Sequence, residues 1–176
     1  HCEIIFRDVR VPRSSLLGRE GDGFMMAQAR LGPGRIHHCM RAIGMAELAL
    51  QLMLERCQER KVFGRPIGQN QGIQFPLARA HAEWRAADLM IRTAAALFQA
   101  GRPCGEEANL SRLLAADAAW NAAEACMQTH GGFGFAEEYD IERKFRETRL
   151  YQVAPISTNL ILSYVAEHVL GLPRSF

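Results

Sequence analysis

No stretch of this sequence reaches the roughly 18 consecutive apolar residues that a membrane-spanning helix needs. No run of five or more Lys or Arg occurs, and the formal net charge is only +2. Neither nucleic acid nor a membrane surface is implied as a partner. There is no C-x-x-C pair among the five cysteines (Cys2, Cys39, Cys57, Cys104, Cys126), so zinc ligation is not expected. Their odd number and wide spacing also argue against a disulfide framework, and a reducing cytoplasm is the expected compartment. No signal-peptide pattern, internal repeat or low-complexity tract is present. The chain opens on His rather than Met, which is expected of a fragment.

What is there suits one folded domain. The length of 176 residues allows a full core, and 48% hydrophobic with 23% charged residues is ordinary for a globular protein. Residues 3–11, "EIIFRDVRV", alternate and read as a strand stopped by Pro12. A strand alone cannot satisfy its backbone, so this one is expected to end an upstream sheet domain. From Gly23 the period becomes helical, with a break or kink expected at "GPG" (32–34). A long helix follows through residue 60, with Ile36, Met40, Ile43, Leu50 and Leu54 on helical spacing. Residues 61–71 read as loop. Further helices are expected over about 72–100, 106–129, 137–149 and from Ser157–Thr158 to Gly171. The expected fold is an all-α, antiparallel four-helix bundle over residues 23–176, preceded by the end of a β-domain and a linker in 1–22.

Several residues invite two readings. "MQTHGGFGF" (127–135) packs Gly131, Gly132 and Gly134 into four positions. Such a loop lets backbone approach a ligand, or it simply caps a helix. Arg60 is either a ligand contact or a cation at a helix C-terminus. Arg35 reads as half of an ion pair near the helix start after the Gly-Pro-Gly break. His37 and His38 point to different faces and suit packing rather than metal ligation. His130 reads as a satisfied loop histidine. Trp84 and Trp120 read as core or interface.

Three motifs then occur in order: "ERKVFGRPIGQNQGIQF" (59–75), "QTHGGFGF" (128–135) and "ETRLYQVAPIST" (147–158). With "FRDVRVP" and "EGDGF" upstream, this set resembles the C-terminal region of the acyl-CoA dehydrogenase family across essentially the whole chain. The resemblance implies a flavin enzyme that dehydrogenates an acyl-CoA thioester between its α and β carbons. It implies FAD as cofactor and an electron-transfer flavoprotein or similar acceptor. It implies a homodimer or homotetramer, or a hetero-oligomer, in which the 128–132 loop reaches a neighbour's FAD. Arg60 would face the pyrophosphate, Phe63 would pack on the cofactor, and Gln71, Gln128, Gly131 and Gly132 would complete the contact. Ser157, Thr158 and Asn159 would meet flavin at the last helix, where the family more often has Thr for Ser157 and Gln for Asn159. Arg35 would lie near the acyl-CoA.

One departure concerns the catalytic base. The two positions where the family carries its carboxylate fall on Pro155 and on Gly34. Neither can accept a proton. No Asp or Glu lies between Glu147 and Glu167. The chain is therefore expected to supply no base at either familiar place. A catalytically silent domain that only clasps a cofactor is the competing expectation.

Overall fold

Alanine sets how the helices of this protein meet. In the computed structural model, which describes residues 2–175, the helix Gly105–His130 buries Ala108, Ala115, Ala116, Ala118, Ala119, Ala122 and Ala123. Side chains this small let neighbouring backbones come close on every side. Adding bulk at such a site costs about 1–3 kcal/mol.

The chain divides into two units, one ending at Leu31 and one starting at Gly32. In the first, residues 3–11 carry no β hydrogen bonds and Asp8 bends the chain at φ 50°, so the expected strand does not form. The alternation is present, yet no other segment among the described residues supplies a partner edge. Ile4, Phe6, Val9 and Val11 are all more than 60% exposed as a result. A short 3-10 turn, Arg13–Ser15, follows Pro12.

Helix α1 spans Gly23–Glu59. The break expected at Gly32-Pro33-Gly34 is absent: Pro33 lies inside the helix. The proline removes one helical hydrogen bond, and the turns on both sides bridge that loss. The boundary between the two units nevertheless falls here.

In the second unit, the loop after α1 is more ordered than expected. Strands β1 (Lys61–Val62) and β2 (Arg65–Pro66) pair antiparallel, with Val62 opposite Arg65. Phe63 and Gly64 form the two-residue turn, with φ of 51° and 81°. Positive φ at both positions is the type I′ pattern that suits a tight hairpin. Helix α2 (Gln71–Gln99) and helix α3 (Gly105–His130) then form an antiparallel pair, tied by Asn121 Nδ2 to Glu83 Oε2 at 2.8 Å. Helix α4 (Ile141–Val153) returns along α3, with Trp120 and Phe145 ring centres 4.7 Å apart. It starts after a 3-10 turn, Glu137–Tyr139, because Asp140 adopts φ 56° and interrupts the helix expected from residue 137. Helix α5 (Thr158–Tyr164) is capped by Ser157, whose Oγ accepts from the Leu160 N–H at 3.4 Å. It widens into a π turn over Val165–Val169. From α1, Ile36, Cys39 and Met53 complete the core.

The result is the expected all-α bundle, with α3 at its centre. No helix among the described residues is long and apolar enough to cross a membrane.

Candidate functional site

The C-terminal end of α3 stops because Gly131 takes φ 60° and ψ −132°, a conformation open to glycine but not to residues with a Cβ. A 3-10 turn, Gly131–Phe135, carries the chain away. Gly134 is buried there, and a Cβ on it would meet Met127 Sδ at 2.6 Å. Gly134 is therefore a packing glycine. Gly132 is different. Its φ is not positive and nothing lies within 4 Å of where its Cβ would be. The chain itself does not require glycine at that point.

Opposite this turn lies the end of α1. Arg60 follows the last helical residue, and its N–H still donates to the Arg56 carbonyl at 3.0 Å. The Arg60 carbonyl accepts from Ile67 N–H at 2.9 Å, which fastens the hairpin back onto the helix end. Between the two lies a groove of about 500 Å³. Arg60, Gln128, Gly131 and Gly132 all line it, so four of the expected contacts come together although 60 and 128 are far apart in sequence. A second groove of similar volume, between α2 and α3, continues from it through Gln128 and Thr129.

One further residue of the first groove, Arg56, went unread in the sequence. Arg56 lies with its guanidinium carbon 4.9 Å from the Phe133 ring centre and 6.0 Å from that of Tyr139. Its Nε is buried and has no hydrogen-bond partner. His130 is buried, and its Nδ1–H donates to the Cys126 carbonyl at 2.9 Å. Burial lowers its pKa and the nearby Arg56 lowers it further, against the opposing pull of that hydrogen bond. The neutral imidazole is the favoured form. The reading of His130 as a satisfied histidine holds, although it closes α3 rather than sitting in the loop.

Phe63 and Gln71 do not line the groove. Phe63 is 100% exposed at the tip of the hairpin. Gln71 is exposed at the first turn of α2.

The remaining expected residues gather at the other end of the bundle. Arg112 on α3 is fully buried and donates from Nη2 to the Ala154 carbonyl at 2.6 Å. Cys39, one turn beyond Arg35, lies beside Arg112, and burial pushes its thiol up to about 12. This places Gly34, Arg35, Pro155 and the Ser157–Thr158–Asn159 helix start around one level of the bundle. Arg112 and Gln128 are sixteen residues apart on α3, a separation of about 24 Å at 1.5 Å per residue. Among the described residues Arg35 forms no ion pair, and its Nε is buried without a partner, which does not support the ion-pair reading.

No carboxylate stands at Pro155 or Gly34. Glu147 accepts from Arg143 Nη1 at 2.9 Å, and Glu167 lies 3.9 Å from His168. Among the described residues no group of His, Cys, Asp and Glu could hold a metal ion.

Comparison with known proteins identifies the family. The family described as acyl-CoA dehydrogenase, C-terminal domain, matches residues 21–170. An acyl-CoA dehydrogenase of Bacillus subtilis is 38% identical over 96% of this chain and 45% of its own length. An acryloyl-CoA reductase (NADH) of Anaerotignum propionicum is 35% identical over 96% of this chain and 43% of its own. The solved butyryl-CoA dehydrogenase of Megasphaera elsdenii superposes with a TM-score of 0.90 at 33% identity, over 94% of this chain and 43% of that one. The chain thus spans less than half the length of these relatives. Fold, motif order and relatives all agree: the chain belongs to the acyl-CoA dehydrogenase family and corresponds to its C-terminal domain.

Proposed function

We propose that this chain is the C-terminal helical domain of a flavin-dependent acyl-CoA dehydrogenase and that it serves two flavins at once. The observation that carries this reading is that Arg60, Gln128, Gly131 and Gly132 share one groove, while the Ser157–Thr158–Asn159 helix start follows the Ala154 carbonyl held by Arg112, about 24 Å from Gln128 along α3. The cluster at Ser157, Thr158 and Asn159 serves the protomer's own flavin, and the groove of Arg60, Gln128, Gly131 and Gly132 serves a neighbour's.

The residues present fit FAD. The groove offers cations, a buried Nε without a partner and an open glycine at 132. These suit the phosphates of a dinucleotide. Bound FAD supplies a hydride acceptor for the acyl thioester. Arg60 holds the anionic part, Gln128 and the Gly131–Gly132 backbone close over it, and Phe63 reaches out from the hairpin to pack on it. Gln71 adds a hydrogen bond. At the other end Arg35 faces the acyl-CoA. An isologous dimer or a dimer of dimers follows from a groove that completes another copy's site. Residues 1–22 belong to a preceding β-domain, and their exposed apolar side chains support that placement. An electron-transfer flavoprotein or a similar carrier takes the electrons. The unpaired cysteines suit a reducing cytoplasm.

A second reading rests on one specific observation, the absence of a carboxylate at Pro155 and Gly34. On it the chain is a cofactor-clasping domain without its own base. The complete protein separates the two. Bound yellow flavin bleached by an acyl-CoA supports the enzyme. Bound flavin that no acyl-CoA bleaches supports the clasp. Failure to hold FAD overturns both.

A further inference from the structure

We propose that Arg56 is a second cation of the flavin groove, and that Arg56 and Arg60 together clamp the diphosphate of the nucleotide bound there. The inference rests on the reading of this groove as a dinucleotide site, and it assigns a residue that the expected contacts leave out.

Three observations carry it. Arg56 lines the groove, and among the described residues its guanidinium has no hydrogen bond or ion pair, with Nε buried and unpartnered. A donor removed from water without a partner costs about 1–3 kcal/mol, so a fold that keeps one has a use for it. Next, Arg56 is held in place. Phe133 lies under its face at 4.9 Å and Tyr139 flanks it at 6.0 Å. Stacking fixes the plane of the fork while leaving its edge free to donate. Finally, Arg56 and Arg60 stand four residues apart with a helical hydrogen bond between their backbones, so both project from one face. Two like charges at that spacing repel each other, and no carboxylate pairs with Arg56 among the described residues. An anion shared by both relieves the repulsion. A single negative charge would leave one arginine unmatched, whereas a diphosphate matches both.

The test uses the complete flavoprotein and measures equilibrium FAD affinity by flavin fluorescence, with inorganic pyrophosphate as a competing probe. Arg56→Met should weaken FAD binding roughly ten- to a hundredfold, the loss expected for a hydrogen bond to a charged group. Arg56→Lys should recover part of that loss, because it keeps the charge and loses the fork. The double variant Arg56→Met/Arg60→Met should lose less than the product of the single effects, because both act on one anion. The competition by pyrophosphate should weaken in parallel. If Arg60→Met weakens FAD binding and neither Arg56 variant does, the clamp is wrong and Arg56 only packs on Phe133. If neither position matters, the groove is not the flavin site and the functional reading falls with it. Circular dichroism on each variant guards against loss of folding. Should Arg56→Met fail to fold, the wild-type to Arg56→Lys comparison decides the question, and equal FAD affinity for the two overturns the clamp.

Discussion

Arg112, fully buried at the heart of α3, donates a 2.6 Å hydrogen bond from Nη2 to the carbonyl oxygen of Ala154. The carbonyl belongs to the residue just before Pro155, on the link that leads into α5. One guanidinium therefore ties the central helix to the segment where the family's base would stand. Its Nε and Nη1 have no partner, and burial lowers its pKa. We predict that Arg112→Ala destabilises the fold by about 3 kcal/mol, through a cavity and an orphaned carbonyl. Arg112→Met should cost less than about 1 kcal/mol, since it keeps the volume and removes a poorly paired buried charge. Urea unfolding of the two variants gives the comparison, and a larger loss for Met than for Ala would contradict it.

The glycine turn yields a paired prediction. Gly131→Ala should cost about 1–3 kcal/mol because it forces a Cβ into a glycine-only conformation. Gly132→Ala should leave stability within about 0.5 kcal/mol, since its Cβ would point into open space. In the complete protein Gly132→Ala should nonetheless weaken flavin retention. Thermal unfolding and flavin content measured side by side would separate these two effects.

His130 predicts a pH dependence. Its folded pKa is lowered from 6.5 by burial. The unfolded chain then binds more protons in that range, so stability must fall as pH drops below about 6.5. Above that value the residue is neutral in both states and contributes no slope. His130→Asn should flatten the part of the stability profile below pH 6.5 that the wild type shows. Identical profiles for the two proteins would reject the assignment.

Asp140 predicts a second loss of stability, at more acid pH. Hydrogen bonds from Arg143 and Lys144 hold its carboxylate well below the usual 3.8. Its contribution is therefore present above about pH 3.8 and is lost as pH falls further. Lys144 is buried and relies on this partner. Asp140→Asn should cost about 1 kcal/mol at neutral pH, a value kept low by the exposure of Asp140. The gap from wild type should narrow below pH 4 in a pH series of melting temperatures.

The missing base predicts a gain of function. Pro155→Glu in the complete protein should raise dehydrogenation of an acyl-CoA panel if the chain otherwise holds flavin and substrate. Robust wild-type activity that disappears in Glu147→Gln would instead locate a base within this chain, despite the ion pair of Glu147 with Arg143.

The sequence was most legible where punctuation is strong. Helices α2 and α3 end within a residue or so of where Gly101, Pro103 and the glycine turn placed them. It was least legible where a local signal competed with longer-range packing. Gly32-Pro33-Gly34 reads as a break, but one missing hydrogen bond cannot end a helix of 37 residues that packs along much of its length. The hairpin at 61–66 was hidden because Phe63, a bulky residue, occupies a positive-φ position that Asn or Gly normally fills. Residues 3–11 carry a strand pattern, but hydrogen bonding needs a second strand. In the candidate site, Arg60 and the glycine turn were readable through their motifs. Arg56 was not, because one more arginine on a polar helix looks like a solvated surface charge until Phe133 and Tyr139 are placed beside it.

Helix α3 also acts as a ruler. It joins the Arg112–Ala154 anchor at one end to the Gln128–Gly132 turn at the other through an unbroken run of helical hydrogen bonds. One residue inserted between them would lengthen that gap by about 1.5 Å and rotate the groove by about 100° around the helix axis. The alanine faces that seat α2 and α4 would turn by the same angle. A length change in α3 that kept both clusters in phase would therefore have to add or remove whole turns, as a block of several residues rather than one at a time.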